Sequence, residues 1–157
     1  MKRKLEVVEE WEYAAQREKS YFVKFALEYF AFNSLLRLKF SDDHTRDRDL
    51  IERFKGWVQC KNPQFEDKDA IRNLMKTTRE RSLKNLTRTE YISIKNDKDW
   101  NNIIEAVYTI RNNLFHGHKQ YSRDRDEQLV KAGYKILYIF NKWLIENLKE
   151  EYNIKGM

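Results

Sequence analysis

Asp99-Trp100-Asn101-Asn102-Ile103-Ile104-Glu105-Ala106-Val107-Tyr108-Thr109-Ile110-Arg111-Asn112-Asn113-Leu114-Phe115-His116-Gly117-His118-Lys119 reads as one helix that ends in chemically active side chains. Trp100, Ile103, Ile104, Val107, Ile110 and Leu114 recur at three- and four-residue steps, which places them on one stripe of an α-helix. Asp97 or Asp99 is positioned to cap the start. Gly117 stands where a left-handed residue would end the helix, so His116 falls in its last turn.

Arg111 breaks the pattern. It lies four residues after Val107 and four before Phe115, inside or beside the apolar stripe. A permanently charged guanidinium in that position must snorkel, pair, or face something wet and anionic. Cations at a helix C-terminus favour the dipole by about 0.3–1 kcal/mol each. This explains His116, His118 and Lys119 but not the placement of Arg111. Asn112 and Asn113 are both poor helix formers, costing about 0.5 kcal/mol each against a good one, so something other than helix stability selects them.

The run Arg111-Asn112-Asn113-Leu114-Phe115-His116, an arginine, a polar residue, three further residues and a histidine near a helix C-terminus, resembles the signature of the HEPN superfamily. The resemblance implies an all-α domain that cleaves RNA without metal, often as a prokaryotic toxin or antiviral defence effector, at a cleft between two protomers. Helical geometry is compatible with that cleft. Five residues along a helix separate two side chains by about 140° and about 7.5 Å of rise, so they do not lie side by side. Either the helix loosens at His116, or a two-fold partner brings a second copy of each residue to the same place.

Composition bounds the rest. The 157 residues are expected to form a single helical domain, residues 1–157, with a substantial core: 41% are hydrophobic and 14% aromatic. Only four Gly and one Pro occur, too few for a loop-rich or all-β architecture. The expected class is all-α, an antiparallel up-and-down bundle of four to five helices assembling as a homodimer. Cys60 is the single cysteine and cannot form an internal disulfide; it is expected to be a small buried or half-buried apolar residue in a reducing compartment. Met1-Lys2-Arg3-Lys4 is followed by Leu5-Glu6-Val7-Val8-Glu9-Glu10 instead of an apolar signal core, and Lys24, Glu28, Arg37 and Lys39 interrupt the apolar run from 21 to 40. A cytoplasmic protein without membrane association is expected. Three isolated histidines without ligand spacing give no zinc signature, and His44 reads as a surface residue in the turn Ser41-Asp42-Asp43-His44-Thr45. No metal or cofactor is expected.

A net charge of +6 and a pI near 9.3 favour an anionic partner. The excess is local: Arg72, Lys76, Arg79, Arg81, Lys84 and Arg88 face one acid, Glu80. These six are the candidate RNA phosphate contacts; the alternative for them is an ordinary solvated face.

The remaining chain is legible as helices and turns. The first forty residues contain neither Gly nor Pro and form one long helix or two with a bend near Lys19-Ser20. The aromatic face from Tyr21 to Phe40 fits a central core helix, or partly a dimer contact. A shorter helix with Leu50, Ile51, Phe54, Trp57 and Val58 is closed between Gly56 and Pro63, and a third opens at Asp67 or Asp69. Leu83 to Asp99 is poorly patterned, with Tyr91-Ile92-Ser93-Ile94 alternating like a short strand or extended loop. A last helix from about Asp124 to Glu150 carries a strong apolar stripe, in which Gly133 allows the Arg111 helix to approach.

The chemistry follows from the resemblance. RNA carries its own nucleophile, the 2′-hydroxyl. His116 is the expected general acid or base, since a histidine suits proton transfer at neutral pH, and Arg111 the group that neutralises the scissile phosphate. The products would end in a 2′,3′-cyclic phosphate. Asn112, His118, Lys119 and Tyr121 are auxiliary candidates. Family toxins silenced by a nucleotidyltransferase often carry a tyrosine two residues after the histidine. Here that position is His118, with Tyr121 three residues further, so another antitoxin, a sensor protein or self-control stays open. The alternative to an enzyme is a HEPN-like module that binds RNA, nucleotide or protein without cutting, and a further alternative is an ordinary helical interaction domain in which the motif is accidental.

Overall fold

The periodicity becomes six helices and one small ribbon: α1 (Lys2–Arg17), α2 (Tyr21–Phe40), α3 (Asp47–Lys61), α4 (Asp69–Glu80), β1 (Leu83–Asn85), β2 (Glu90–Ile92), α5 (Trp100–Phe115) and α6 (Asp124–Glu151). The structure, a computed structural model, describes residues 1–40, 45–80, 83–85, 90–116 and 124–154. The protein is mostly helical, as its composition requires. The described helices number six, not four or five, because the first forty residues break in two: Glu18 turns to extended backbone at φ −75° and ψ 148°, ending α1. The irregular segment forms an antiparallel pair with Leu83 opposite Ile92 and Lys84 opposite Tyr91.

Long α2 and α6 form the widest interface, with α1 on α2, α4 on α6, and α3 against α5 and α2. α2 is the central core helix. Phe25, Phe32, Phe54 and Phe140 are each at most 1% exposed, and the rings of Phe32 and Phe140 lie 5.1 and 5.2 Å from that of Phe54. Burying each phenyl ring is worth about 1.5–3 kcal/mol. α1 buries Leu5, Val8, Glu12 and Ala15, one heptad-like stripe that includes a carboxylate.

α3 closes between Gly56 and Pro63: the helix runs through Gly56 to Lys61, and Asn62 takes the left-handed conformation at φ 44°. Asparagine tolerates that region because its short polar side chain bonds locally. The expectation for Cys60 is corrected: it is exposed, not buried or half-buried, since it follows Val58 by two positions and so turns off the buried face. Gly133 admits both α5 and α2: a Cβ there would stand 3.5 Å from Ile110 Cδ1 of α5 and 2.9 Å from Phe25 Cε2 of α2. The turn containing His44 lies outside the described residues. No described helix is long and apolar enough to cross a membrane.

Candidate active site

α5 delivers the motif. Trp100, Ile103, Ile104, Val107 and Ile110 are buried along its stripe. Asp99 holds the N-cap position without bonding the first-turn amides; its Oδ2 accepts from Lys95 N at 3.0 Å and Asn102 Nδ2 at 2.9 Å, shaping the entry turn. At the other end the helix stays α-helical to Phe115, and the His116 amide donates to the Asn112 carbonyl at 3.1 Å. His116 is therefore the C-cap residue, and it is exposed.

Arg111 is half-buried, its side chain 20% exposed. Nη1 donates to Asn112 Oδ1 at 2.8 Å, and Nη2 reaches Asp47 Oδ2 at 3.3 Å. The guanidinium lies among aromatic rings, 5.1 Å from the centre of Phe115, 5.5 Å from Tyr29 and 5.8 Å from Tyr108. Cation–π attraction in such a partly desolvated nest is worth about 0.5–2 kcal/mol per good contact. Arg111 thus both pairs and snorkels. Nε is buried without a hydrogen-bond partner among the described residues.

Asp47 is shared. Its Oδ1 binds Arg37 Nη2 at 2.8 Å, and Arg37 Nη1 donates to the Thr45 carbonyl at 3.0 Å. One carboxylate from the first turn of α3 therefore separates two guanidiniums, from α2 and α5. α3 is fixed against α5 by a second cluster. Glu105 Oε2 accepts from Arg48 Nη1 at 2.7 Å, and its Oε1 pairs with Arg48 Nη2 at 2.7 Å and Lys55 Nζ at 2.6 Å. Burial alone would raise the Glu105 pKa, but these hydrogen bonds outweigh it, and the net shift is downward. The same bond from Glu105 raises the pKa of Arg48. Tyr29, beneath Arg111, is 3% exposed. Burial pushes its phenol well above the ordinary range, against an opposing pull from Arg111, so it keeps its proton and remains a donor.

Of the other expected residues, Asn112 directly contacts Arg111, while Asn113 braces the helix end by donating to the Lys84 carbonyl at 3.0 Å. Arg72, Lys76 and Arg79 stand exposed along α4. Lys84 is on β1, its Nζ 5.7 Å from the Tyr91 ring centre. His118, Lys119, Tyr121, Arg81 and Arg88, with Gly117, lie outside the described residues. Among the described residues no group of three or more His, Cys, Asp or Glu side chains is placed to hold a metal ion.

Sequence reasoning missed Asp47, Tyr29 and Tyr108. Nothing local marks Asp47, whose partner is 64 positions away. It also missed a buried acid pair: Glu12 of α1 is 2% and Glu28 of α2 0% exposed. Asn141 Nδ2 donates to Glu28 Oε1 and to the Glu28 carbonyl, both at 3.0 Å. Burial, then the neighbouring Glu12, pushes the Glu28 carboxyl up to about 9, so Glu28 is protonated at neutral pH. Its signal was present, since both glutamates sit on apolar stripes. No protein-family model matches the sequence, and no curated protein or solved structure matches it significantly.

Proposed function

We propose that the protein is a metal-independent endoribonuclease of the HEPN type, in which Arg111 and His116 act on the RNA backbone. The observation that carries this is the guanidinium of Arg111, held by Asp47 and Asn112 at the edge of an aromatic nest, one helical turn and a residue before an exposed C-terminal histidine. Only two of the five guanidinium N–H donors are engaged in those bonds, which leaves others for a phosphate. His116 takes the proton from the 2′-hydroxyl or gives one to the departing 5′-oxygen. The oxygen attacks the adjacent phosphorus, the P–O5′ bond breaks, and the products are a 2′,3′-cyclic phosphate and a 5′-hydroxyl. Arg111 stabilises the charge that builds on the phosphoryl oxygens, an effect typically worth about 3–4 kcal/mol per well-placed donor.

A homodimer belongs to the proposal. Phe115 (39% exposed), Phe30 (45%) and Trp11 (40%) form a continuous surface stripe, with ring centres 6.0 Å apart for Phe30 and Phe115 and 5.7 Å for Trp11 and Phe30. That stripe adjoins Arg111 through Phe115. A second copy seated there would bring the two motif ends together, one of the two ways in which Arg111 and His116 can meet at one phosphate. A role as a toxin or antiviral effector with a protein antitoxin or sensor rests on the resemblance alone; the cytoplasm is proposed from the single cysteine and the charged N-terminal stretch.

A second reading, a HEPN-like module that binds RNA, nucleotide or protein without cutting, is favoured by the Asp47 ion pair, which already opposes the Arg111 charge with an anion from the fold itself. Cleavage of labelled tRNA and mRNA in EDTA separates the two. The nuclease predicts cutting by the wild-type protein with cyclic phosphate ends, lost in Arg111→Ala and His116→Ala. Equal activity of all three proteins, or none with RNA still bound, contradicts it.

A further inference from the structure

The basic run is a candidate for phosphate contacts. In the folded protein one of its members, Lys76, lines a two-sided trough. Asn73, Lys76, Thr77 and Glu80 of α4 face Gln128, Lys131 and Lys135 of α6 across a groove of about 300 Å³, with Ala70 and Ala132 in its lining. The three lysines come from two helices distant in sequence, so the α6 pair could not be read from the charge run. Arg72 and Arg79 stand exposed beside Lys76 on α4, at spacings of four and three, on the side turned away from the groove. Arg72, Lys76, Arg79 and Lys135 have no carboxylate partner among the described residues, and Lys131 rests only on the Tyr21 ring at 5.3 Å. A cluster of cations left unneutralised by the fold repels itself and gains by gathering phosphates, chiefly through counterion release. Glu80, the one acid lining the groove, sits at one end with Gln128.

That end is the one nearest the motif. α4 leads into β1, whose Lys84 carbonyl is bound by Asn113, and Gln128 precedes Leu129, which shares a small hollow with Leu83, Asn113 and Leu114. That end of the trough therefore lies toward the last turn of α5, which carries Asn113 and Leu114. Lys76 on one wall and Lys131 and Lys135 on the other can meet the phosphates of one strand, and a groove of about 300 Å³ is too small to seat a duplex. Duplex RNA is instead gripped across successive minor grooves. Asn73 and Gln128 can meet 2′-hydroxyls or base edges.

We infer that the α4–α6 trough is the track for the backbone of single-stranded RNA, with Lys76, Lys131 and Lys135 as its phosphate contacts, feeding the strand toward the α5 C-terminus. This inference rests on the ribonuclease reading and adds its substrate class. The test is fluorescence anisotropy of a labelled single-stranded RNA and of its duplex over a salt series, in a His116→Ala background that spares the RNA. Lys131→Gln/Lys135→Gln weakens single-strand binding roughly tenfold at low salt and flattens the log K against log salt slope by about 1.4, or about 0.7 for Lys135→Gln alone. Both lysines are exposed, and an unchanged thermal melt certifies the fold. If the parent binds RNA and the lysine variants match it in affinity and slope, the trough is not the track, while the nuclease stands. Tighter binding of the duplex by the parent overturns the single-strand assignment. If the parent binds no RNA, the ribonuclease reading falls with it.

Discussion

Asp47 and Arg111 are 64 positions apart in the chain and meet in a 3.3 Å ion pair between α3 and α5, with Arg37 on the other carboxylate oxygen. A partly exposed pair of this kind contributes little stability, about 0–1 kcal/mol. Its consequence is positional: it fixes where the guanidinium points. Asp47→Ala leaves Arg37 and Arg111 facing one another without an anion between them, and is expected to lower kcat/KM for RNA cleavage by about tenfold, a misplacement effect. Asp47→Asn retains an accepting oxygen and recovers part of the loss. Steady-state kinetics on the two variants check this; equal activity of Asp47→Ala and wild type removes the positioning role.

Glu105 is expected to behave as a staple between α3 and α5. Its folded pKa is depressed, so its stabilisation is present above the ordinary glutamate range and lost as pH falls through the lowered value. Glu105→Gln should cost about 1.5–3 kcal/mol at neutral pH, the worth of hydrogen bonds to charged partners, and the cost should shrink toward acid. Urea unfolding of both proteins across pH measures the difference; a cost independent of pH contradicts it.

Glu28 has the opposite sign. Its folded pKa of about 9 lies above the ordinary 4.5, so the folded state holds a proton that the unfolded chain releases. Its contribution is full below about pH 4.5 and declines as pH rises toward 9. Glu28→Gln keeps an acceptor for Asn141 and removes the titration. Its stability advantage should grow with pH across that window, by up to about 1.4 kcal/mol per pH unit, and level off above it. Thermal melts at pH 5, 7 and 9 check the slope about those values; a flat difference contradicts protonation of Glu28 in the fold.

Gly133→Ala places a methyl 2.9 Å from the buried ring of Phe25. The helix propensity gain of about 1 kcal/mol is outweighed by overpacking of about 1–3 kcal/mol. A lowered melting temperature is expected. A rise would mean that Phe25 moves aside freely.

The legible parts of this protein were those governed by local spacing. The stripes of α5 and α6 follow from apolar periodicity, and the Arg111 anomaly was visible because a charge interrupted a stripe; Lys19-Ser20 marked where the first forty residues could bend without deciding between one helix and two. What depended on contacts between distant segments was not legible. Asp47 is an ordinary first-turn acid until α3 docks on α5, and Lys131 and Lys135 look like solvated positions until α4 lies beside them. Cys60 misled because residue type was read without helical phase. The termination of α3 at Asn62 turns on a left-handed residue that composition does not single out.

The measurement that bears most directly on a single chemical unit of Arg111 and His116 at a two-fold site is complementation: RNA cleavage in EDTA by Arg111→Ala, by His116→Ala, and by the two mixed after exchange of protomers, with mixed dimers verified by native mass spectrometry. A site built from both copies predicts that each variant alone is inactive and that the mixture regains a substantial share of wild-type activity. Verified mixed dimers that stay inactive would contradict the composite site, and a wild-type protein that leaves RNA intact would contradict the nuclease itself.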